Sequence, residues 1–546
     1  KITSKKIAEQ AGVSTVPGYT GVVSGTEHAL EIAAEIGYPV MLKASAGGGG
    51  KGMRVAYNEA ECRDGFERAT NEARSSFGDD RVFIEKFVTE PRHIEIQVMV
   101  DQFGNGVYLG ERECSIQRRH QKVIEEAPSP FIDEATRKAM GEQSLALAAA
   151  VDYCSAGTVE FIVDGDRNFY FLEMNTRLQV EHPVTELVTG YDLVELMIRV
   201  AAGEKLPITQ ADIQLNGWAM ESRVYAENPL RGFLPSTGRL TAYQPPTESD
   251  TVRVDTGVYA GGEVSMFYDP MIAKLITYGE DRNTAIDNMI GALDRYHIKG
   301  LDHNIPFLNA LMSHTRFIEG RLTTNFIAEE FGDGFSAEHM VPKDPIPMLV
   351  AAAVVNQSYR DRSALLFDPT RGLHYQAPSD WVMVAGGAEY RTHISSDEDA
   401  ITVTINDERH IVTTDWQRGQ AVMEASINGV ELGFQVERQG ASLSIIHRGA
   451  ELKVLTLPAA TAHLNQHMID KIPPDLSKFL LSPMPGLLVK LSVAVGDKVQ
   501  QGQELAVIEA MKMENSMRAE KDGVVKAIEA SEGQSLSVDQ VIIEFE

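Results

Sequence analysis

Cysteine is scarce in this chain of 546 residues, which has only Cys62, Cys114 and Cys154. The three show no paired spacing of the kind that a zinc site or a disulfide framework requires. Disulfides persist in oxidising compartments, whereas isolated cysteines are typical of reducing ones. We therefore expect a reducing compartment, with the cytoplasm favoured over the mitochondrial matrix.

Long apolar runs and an excess of basic charge are also lacking. No apolar stretch reaches the roughly 18 residues that a membrane-spanning helix needs, so we expect no membrane partner. The formal net charge is −28, which argues against nucleic acid as a partner because nonspecific binding requires a basic surface. The chain opens at Lys1 without an initiator methionine or a signal-peptide pattern. We expect that a longer chain precedes it and that any targeting segment has been lost.

The length predicts three or four domains, at roughly 150 residues per domain. Up to about residue 330, helical periodicity alternates with short apolar strands, and HALEIAAEIG predicts a helix before the strand YPVMLKAS. Prolines between His339 and Pro347 indicate a boundary. After it, PMLVAAAVVNQSY predicts one helix. From about Tyr375 to Leu457, alternation predicts a small antiparallel β domain, followed by a closing helix in LPAATAHLNQHMIDK.

An internal repeat marks the C-terminal module, which begins after the linker KIPPDLSK. The segments that start at Gly486 and Gly523 match at an offset of 37 residues, and Gly496 then matches Gly533. Two similar β segments predict a flattened barrel or sandwich with approximate twofold symmetry. The join between the halves contains EAMKMEN, so the repeat predicts that Lys512 lies at an exposed tip.

A glycine-rich segment, KASAGGGGKGMR, follows the predicted strand near Lys43. Glycines allow backbone N–H groups to approach phosphate oxygens, and lysines add positive charge. A Walker P-loop requires Ser or Thr after Gly-Lys, whereas Gly52 follows Gly50-Lys51 here. The segment alone is equally consistent with a phosphate-binding loop and with a flexible surface loop.

Two acidic strands, GTVEFIV and NFYFLEM, flank a turn near residue 166 and predict a β-hairpin. This turn places Glu160 opposite Glu173. Opposed carboxylates are destabilising unless a cation bridges them, and oxygen ligands suit Mg²⁺. If the second strand stays extended, one face carries the alternate positions Glu173, Asn175, Arg177, Gln179 and Glu181. The alternative is a solvated strand face.

A third polar segment, QRRHQK, contains Gln117, His120, Gln121 and Lys122. Its composition suits an oxyanion or phosphate better than a core. His120 by itself would more often be a structural histidine.

Together, KASAGGGGKGMR, EKFVTEPRHIEIQV, QRRHQKVIEEAPSP and FLEMNTRLQVEHPVTE resemble the biotin carboxylase family of ATP-grasp enzymes. EAMKMEN, with SPMPG upstream, resembles a biotin carboxyl carrier domain. The middle region, with DWVMVAGGAEY and AHLNQHMIDK, resembles the α subunits of biotin-dependent acyl-CoA carboxylases, most closely the propionyl-CoA type. Specificity for 3-methylcrotonyl-CoA or acetyl-CoA stays open, because a partner subunit selects the acyl group.

This resemblance implies a multidomain α+β fold. It implies an ATP-grasp region over 1–212, a biotin carboxylase C-terminal subdomain over 213–335, and a bridging domain over 340–472 that is a small antiparallel β-barrel with a helix. A flattened β-barrel biotinyl domain follows over 478–546. The family has a further α/β subdomain before the position of Lys1, which this sequence does not contain.

The resemblance also implies a role for each matching residue. ATP would be held by Lys1, Lys43, Gly47, Gly48, Gly49, Gly50, Glu85, Lys86, Val88 and His93. Mg²⁺ or Mn²⁺ would be bound by Glu160, Glu173 and Asn175. Bicarbonate would be placed by Lys122, Arg177, Gln179 and Val180 and deprotonated by Glu181. Arg253 would stabilise negative charge on the ureido oxygen of biotin, which Lys512 would carry through an amide.

The partners implied are a carboxyltransferase β subunit, in an α6β6-type assembly, and a biotin protein ligase. A rival from another class is a lipoyl carrier fused to an ATP-grasp ligase, because lipoyl and biotinyl domains share a fold. Lipoyl domains place Asp-Lys at the tip, whereas this sequence has Met511-Lys512-Met513. A non-catalytic scaffold is the remaining alternative, and the intact set of Glu160, Glu173 and Glu181 argues against it.

Overall fold

The computed structural model describes residues 2–19, 21–46, 53–265, 267–332, 334–340, 343–365, 377–397, 400–469, 476, 478–510 and 513–546. Lys1, the glycines Gly47 to Gly50 and Lys512 lie outside the described residues, so the predictions for them do too. The chain divides into two compact units, residues 1–223, 276–288 and 315–333 and residues 224–275, 289–314 and 334–546. Within the described ranges, every helix is too short or too polar to cross a membrane.

The first unit begins with α1 (Ile2–Gln10) and a four-stranded antiparallel sheet of order β1-β4-β2-β3. Its strands are β1 (Gly18–Tyr19), β2 (Val40–Ala44), β3 (Met53–Ala56) and β4 (Val82–Lys86), with helices α2 (Thr26–Ile36) and α3 (Glu59–Phe77). Ala29, Leu30, Ile32 and Ala33 are the buried face of α2, as apolar residues at helical spacing predict. The predicted helix HALEIAAEIG and strand YPVMLKAS are both confirmed.

Six strands of a larger antiparallel sheet follow in the first unit, in the order β10-β7-β6-β5-β8-β9. Its strands are β5 (Arg92–Val100), β6 (Gly106–Arg118), β7 (Gln121–Ala127), β8 (Ser155–Val163), β9 (Phe169–Asn175) and β10 (Trp218–Tyr225). The helices along it are α4 (Glu134–Ala150), α5 (His182–Thr189) and α6 (Leu193–Ala201). Strand β5 is buried at every position except the half-buried His93, as expected of a central strand covered on both faces.

Eight further strands and two helices follow in the chain. They are β11 (Glu227–Asn228), β12 (Leu234–Pro235), β13 (Gly238–Arg239), β14 (Ala242–Gln244), β15 (Val252–Thr256), β16 (Glu263–Val264), β17 (Met271–Gly279), α7 (Arg282–Asp294), β18 (His297–Lys299) and α8 (Ile305–Met312). Two helices of the first unit follow, α9 (Thr315–Ile318) and α10 (Phe326–Phe331). Single 3₁₀ turns occupy Gln210–Asp212, Pro229–Arg231 and Ala337–His339.

A helix inside a closed barrel is the main feature of the second unit. Helix α11 (Ile346–Leu365) precedes eight antiparallel strands, β19 (Asp380–Ala385), β20 (Ala388–Ser396), β21 (Ile401–Ile405), β22 (Glu408–Thr413), β23 (Val422–Ile427), β24 (Val430–Gln439), β25 (Ser442–His447) and β26 (Ala450–Leu457). Every residue from Met348 to Val355 is buried, and a helix that is apolar all round must be enclosed. The predicted helix, small β-barrel and closing helix, α12 (Ala459–Asn465), are confirmed.

The C-terminal module is a pair of four-stranded sheets, of orders β27-β34-β32-β29 and β31-β30-β28-β33. Its strands are β27 (Phe479–Leu481), β28 (Gly486–Leu491), β29 (Lys498–Val499), β30 (Glu504–Ala510), β31 (Met513–Arg518), β32 (Gly523–Ile528), β33 (Ser535–Leu536) and β34 (Val541–Phe545). The strands that begin at Gly486 and Gly523 hold equivalent central places in the two sheets. Gly496 and Gly533 both have positive φ, +92° and +81°, the region that favours glycine. The predicted twofold repeat is confirmed.

Candidate active site

The acidic hairpin of the first unit has the register that the sequence predicts. Strands β8 and β9 pair so that Glu160 lies opposite Glu173. The Asp164 carboxylate accepts hydrogen bonds from the backbone N–H groups of Asp166 and Asn168, each at 2.9 Å. An aspartate that bonds the backbone two residues ahead favours a tight turn. A β-bulge then shifts the register by one residue, from Phe161 opposite Phe171 to Glu160 opposite Glu173, so the turn alone does not set the pairing of the two glutamates.

A row of charged side chains crosses four neighbouring strands at this level of the larger sheet. Glu173 lies opposite Glu160, Glu160 opposite Glu95, and Glu95 opposite Arg112. Three adjacent carboxylates repel one another, so nearby cations are needed to offset them. Sequence reasoning missed Glu95 and Arg112, because β5 acquires its neighbours β6 and β8 only when the sheet assembles.

The predicted extended face is wrong beyond Asn175, where strand β9 ends. A loop follows, and Glu181 is the residue that precedes helix α5, with Pro183 in the first turn. Proline has no N–H for a strand ladder, but its fixed φ suits the start of a helix. The alternation of polar residues on one strand face therefore ends at the loop that leads into α5.

The loop still brings two of its polar residues into the charged row. Gln179 is 5 % exposed and donates from Nε2 to Glu160 Oε1 at 2.8 Å, while Glu181 is 2 % exposed. Arg177 is exposed instead, and its Nη1 donates to the Leu178 carbonyl at 3.3 Å. A loop can direct neighbouring side chains to different sides, which a continuous strand cannot.

Lys122, on β7, is the cation nearest to these carboxylates. Its Nζ donates to Glu95, lies 2.6 Å from Glu181 Oε1 and lies 3.6 Å from Glu160 Oε1. The Lys122 side chain is 13 % exposed, so its charge acts in a partly desolvated site where Coulomb interactions are stronger than in water.

The second oxygen of Glu181 contacts an arginine that sequence reasoning missed. Arg223 Nη2 lies 2.9 Å from Glu181 Oε2, and its Nε donates to Glu125 Oε1 at 2.6 Å. Burial raises the pKa of Glu181, but the charges of Lys122, Arg223 and Arg112 outweigh it and lower the pKa to about 2. Burial also raises the pKa of Glu125, which Arg223 offsets only in part. Glu181 is therefore ionised between two cations.

Both carboxylate oxygens of Glu160 have hydrogen-bond partners. His93 Nε2 lies 2.9 Å from Glu160 Oε2, and Asn175 Nδ2 donates to Oε1 at 2.5 Å. Gln117 Nε2 lies 2.7 Å from His93 Nδ1, so each ring nitrogen of His93 has a side-chain partner. Burial raises the pKa of Glu160, but the bond to His93 and the charges of His93 and Lys122 lower it to about 2.

The donor set around Glu160 fits a hard divalent cation. Glu160 and Glu173 are directly opposed, and Asn175 lies two positions from Glu173 on the same face. Carboxylate and amide oxygens are the ligands that Mg²⁺ and Mn²⁺ prefer. Ligand atoms of His93, Glu95 and Glu160 also lie within 4.8 Å of one another, but the Lys122 ammonium group contacts both of these carboxylates and would repel a metal ion there.

A separate charged group lies on the smaller sheet. Lys43, on β2, donates to Glu85 on the neighbouring strand β4, and Lys5 Nζ lies 3.6 Å from the other Glu85 oxygen. Lys86 Nζ donates to the backbone carbonyls of residues 37 and 38 at 2.8 and 3.0 Å. Val88 lies just after β4. Strand pairing thus brings Lys43 to Glu85, while the Lys86 side chain contacts the segment before β2. The resemblance assigns all three residues to one nucleotide site.

The remaining predicted residues are Arg253, His120 and Gln121. Arg253 lies in the second unit on β15, where its Nε donates to Asp255 Oδ1 at 2.8 Å. His120 occupies the turn between β6 and β7 with φ +65°, and Gln121 pairs with Arg118 at the end of that hairpin. His120 and Gln121 therefore lie at a hairpin tip rather than in the charged row.

The sequence contains a weak indication of the residues that sequence reasoning missed. Glu95 interrupts the apolar strand HIEIQV, and Arg223 interrupts WAMESRVY. Charged residues are almost never fully buried unless they are paired. A charge inside an apolar strand pattern therefore points to a partner on another strand, although the sequence does not say which one.

Family models match almost the whole chain in four consecutive segments. The carbamoyl-phosphate synthase L chain ATP-binding domain matches residues 1–209, and the biotin carboxylase C-terminal domain matches 221–329. The propionyl-coenzyme A carboxylase BT domain matches 348–471, and a model described as biotin-requiring enzyme matches 478–545. The fold, the site and these matches define the class of protein: an ATP-dependent biotin carboxylase joined to a biotin carrier domain.

Similar proteins cover the chain from end to end. The propionyl-CoA carboxylase alpha chain of Ruegeria pomeroyi is 56% identical over 566 residues, which cover 100% of this chain and 83% of that protein. The mitochondrial propionyl-CoA carboxylase alpha chain of Homo sapiens is 49% identical, covering 100% of this chain and 76% of that protein. The chain belongs to the family of propionyl-CoA carboxylase alpha chains. A lipoyl carrier fused to a ligase is therefore not supported.

A solved structure is similar to the biotin carboxylase part. The biotin carboxylase domain of Hydrogenobacter thermophilus 2-oxoglutarate carboxylase, in complex with MgADP, ADP and bicarbonate, has a TM-score of 0.57 and 46% identity. The match covers 60% of this chain and 72% of that chain. The expected multidomain fold with an ATP-grasp biotin carboxylase region is confirmed, and membership of the family implies a carboxyltransferase β subunit as partner.

Proposed function

We propose that bicarbonate and ATP react at the charged cluster around Glu181 and that this reaction supplies the carboxyl group for biotin on Lys512. One observation carries the proposal: Glu181 contacts a cation at each oxygen, with Lys122 Nζ at 2.6 Å and Arg223 Nη2 at 2.9 Å. A buried carboxylate between two cations is placed to take a proton from an anion that the same cations attract.

Glu181 is the general base toward bicarbonate in this proposal. Loss of the proton leaves bicarbonate with a second negative charge, and its oxygen then attacks the γ-phosphate of ATP while ADP leaves. Lys122 stabilises the added charge, because a fixed cation in a buried site acts more strongly than one in water. The loop before Glu181 supplies the remaining proposed contacts to bicarbonate, from Arg177, Gln179 and Val180.

Arg223, rather than Arg253, is the arginine that we expect to stabilise negative charge on the reacting groups. The Arg223 side chain is 12 % exposed and contacts Glu181, whereas Arg253 forms an ion pair with Asp255 on its own strand. An arginine stays protonated even when it is buried and presents five donors in a rigid plane. These properties suit a site in which anionic charge develops.

The nucleotide and metal roles follow the two charged groups of the first unit. ATP would be held by Lys43, Glu85, Lys86, Val88 and His93, together with Lys1 and the glycines from Gly47 to Gly50. Glu160, Glu173 and Asn175 would hold Mg²⁺ or Mn²⁺. A bound divalent ion would offset the negative charge of the phosphates. The support is the strand pairing that gathers each group and the fit of oxygen donors to a hard cation.

The carrier half of the proposal concerns Lys512, which lies between β30 and β31 in the sequence. Ala510 and Met513 are the last paired residues of these strands, so the attachment residue belongs to the link between them. Biotin on Lys512 supplies the nitrogen that accepts the carboxyl group, and a biotin protein ligase would attach it. Biotinylation is expected to require the folded module, because the repeat brings the two strands together.

A carboxyltransferase β subunit would receive the carboxyl group and transfer it to propionyl-CoA, in an α6β6-type assembly in the cytoplasm. The support for propionyl-CoA is the family of the chain and its middle region. Specificity for 3-methylcrotonyl-CoA or acetyl-CoA is the alternative. We further propose four domains, 1–212, 213–335, 340–472 and 478–546, a division supported by the four matching family models.

Substitution Glu181→Gln in the full-length protein tests the catalytic half. The amide cannot accept the proton, so bicarbonate-dependent release of ADP should fall by about 100-fold or more, while ATP binding measured by calorimetry stays unchanged. Glu195→Gln is the matched control, because Glu195 is exposed on α6 and pairs with Arg199. Undiminished ADP release in Glu181→Gln would reject the role of Glu181 as base.

Substitution Lys512→Arg tests the carrier half. After co-expression with biotin ligase, intact-mass measurement should detect one biotin adduct on the unmodified sequence and none on Lys512→Arg. The purified assembly with its β subunit is then supplied with propionyl-CoA, acetyl-CoA and 3-methylcrotonyl-CoA. We expect the highest kcat/KM for propionyl-CoA, and a higher value for another acyl-CoA would assign that specificity instead.

A further inference from the structure

Arg112 is the largest fully buried side chain among the described residues, with 0 % exposure. Its two terminal nitrogens donate five hydrogen bonds to side chains on four different elements. The acceptors at Nη1 are Gln97 at 2.7 Å and Thr185 at 3.1 Å, and those at Nη2 are Gln179 at 2.5 Å, Thr158 at 3.1 Å and Glu95 at 3.2 Å. One guanidinium group therefore connects β5, β8, the loop after β9 and helix α5.

Two of these acceptors belong to the site. Gln179 Nε2 donates a hydrogen bond to Glu160 at 2.8 Å. Glu95 accepts a hydrogen bond from Lys122, whose Nζ also contacts Glu181. The further side-chain partner of Gln179 is Glu160, and those of Glu95 are Lys122 and His93, whose Nε2 lies 3.5 Å from Glu95 Oε1. Arg112 is therefore one of the contacts that orient the amide of Gln179 and the carboxylate of Glu95.

A purely structural arginine is the alternative, and Arg92 provides the comparison. Arg92 is 9 % exposed, donates to Glu113 at 3.1 Å and donates to the Gly320 carbonyl at 2.8 Å. None of its described hydrogen bonds reaches a residue of the charged row. Arg112 differs because its Nη2 donates hydrogen bonds both to Glu95 in that row and to Gln179, which bonds Glu160.

The arrangement at Arg112 is also costly. Its Nε has no hydrogen-bond partner among the described residues, and a buried donor left without a partner destabilises the folded state by about 1–3 kcal/mol. Buried ion pairs are often no more stabilising than apolar residues of the same volume. Stability alone therefore does not account for an arginine at this position.

We propose that Arg112 is a positioning residue for bicarbonate: its Nη2 holds Gln179 and Glu95, and through Glu95 also Lys122, in the arrangement that the anion meets. The inference rests on the proposed function, which assigns Gln179 and Lys122 to bicarbonate. Lysine cannot replace the arginine, because a single ammonium group does not reach acceptors on both sides as the planar fork does. Small misplacements of groups that hold a substrate are expensive, at up to about 100-fold per ångström.

The test compares Arg112→Lys with Arg92→Lys in the full-length biotinylated protein, with bicarbonate-dependent ADP release measured over a range of both substrates. We expect the bicarbonate KM of Arg112→Lys to rise by about 10-fold or more, with the ATP KM within about twofold of the parent. Arg92→Lys should leave both KM values unchanged. A bicarbonate KM that stays within about twofold, or an equal rise of both KM values, would overturn the positioning role.

A milder variant, Thr158→Val, keeps the shape of the side chain and removes one acceptor at Nη2. It decides the matter if Arg112→Lys does not fold, as judged by its thermal transition. The expected result is a rise in bicarbonate KM of about threefold at constant ATP KM, and no change would overturn the proposal. Glu181→Gln measured in parallel separates the two claims, since full activity of that variant rejects the proposed function itself.

Discussion

The interior of the barrel and the interior of the larger sheet are both closed to solvent, but they contain opposite kinds of side chain. The barrel encloses Met348 to Val355 of helix α11, all of them apolar and buried. The larger sheet encloses Glu95, Arg112 and Glu181, whose exposed fractions are 0 %, 0 % and 2 %. Apolar burial stabilises a fold by about 25 cal/mol per Å², whereas a buried charge destabilises it unless it is paired.

The difference indicates what each region does. The buried part of helix α11, from Met348 to Val355, uses its whole circumference for apolar packing. The larger sheet instead holds three carboxylates in a row, and the charges of Lys122, Arg223 and Arg112 lower the pKa of the neighbouring Glu181. Groups whose environment shifts their pKa strongly are concentrated at functional sites. We infer that the sheet retains an unfavourable arrangement because its chemistry requires it.

The contrast between the apolar barrel interior and the charged interior of the larger sheet is tested most strongly by removing the charge of Lys122. Lys122→Met leaves Glu95 and Glu181 without their shared partner, which should destabilise the first unit by about 4 kcal/mol at neutral pH. The pKa values of these carboxylates then rise above their unfolded values, so the lost stability should return in part as the pH falls. Urea unfolding is followed by Trp218 fluorescence in a Trp381→Phe, Trp416→Phe background.

The control for this substitution is Lys138→Met, on an exposed residue of helix α4 whose Nζ lies 3.8 Å from Glu142. Exposed pairs of this kind contribute at most about 1 kcal/mol. A Lys122→Met protein that is as stable as this control at neutral pH would show that the carboxylates do not depend on Lys122.

The apolar interior is tested by Leu349→Ala. Leu349 is 0 % exposed inside the barrel, and removing buried methyl groups and leaving a cavity should destabilise this region by about 3 kcal/mol. Trp381 and Trp416 belong to the same core, so a Trp218→Phe background makes intrinsic fluorescence report on the barrel. Bicarbonate-dependent ADP release should stay unchanged.

Met468→Ala is a suitable control, because Met468 is 74 % exposed after helix α12. Its truncation removes little buried surface and should change stability by less than about 0.5 kcal/mol. If Leu349→Ala abolished ADP release while the first unit stayed folded, the separation of packing from chemistry would be wrong.

Lowering the pH tests the charge of Glu181 alone, with a smaller expected effect on the free energy of unfolding. The pKa of Glu181 is about 2 in the folded chain against about 4.3 for an unperturbed glutamate. The unfolded state therefore binds more protons between these values, and stability from this contact is lost as the pH falls. Between about pH 5 and about pH 3, the free energy of unfolding of the first unit should fall by about 2 kcal/mol more in the parent than in Glu181→Gln. Equal losses in both proteins would contradict the lowered pKa of Glu181.

Local features of this protein could be predicted from the sequence. The hairpin that carries Glu160 and Glu173 follows from the Asp164 turn between two short strands, although a β-bulge shifts the register by one residue between the turn and this pair. The repeat of 37 residues predicts the two matching sheets of the C-terminal module. The enclosed helix was also predicted as a helix. In each case the interacting residues are close in sequence, so few alternative arrangements compete.

The charged row was decided by tertiary structure alone. Glu95, Arg112 and Glu160 become neighbours because β5 pairs with both β6 and β8, and no local pattern states the order of strands in a sheet. The same applies to Arg223, which reaches Glu181 from β10, and to the loop after Asn175, where alternation predicted a strand. The sequence by itself determined which side chains were available and which turns were tight. Strand pairing decided which charges meet, because contacts between distant segments form only when the whole sheet can bury its surface.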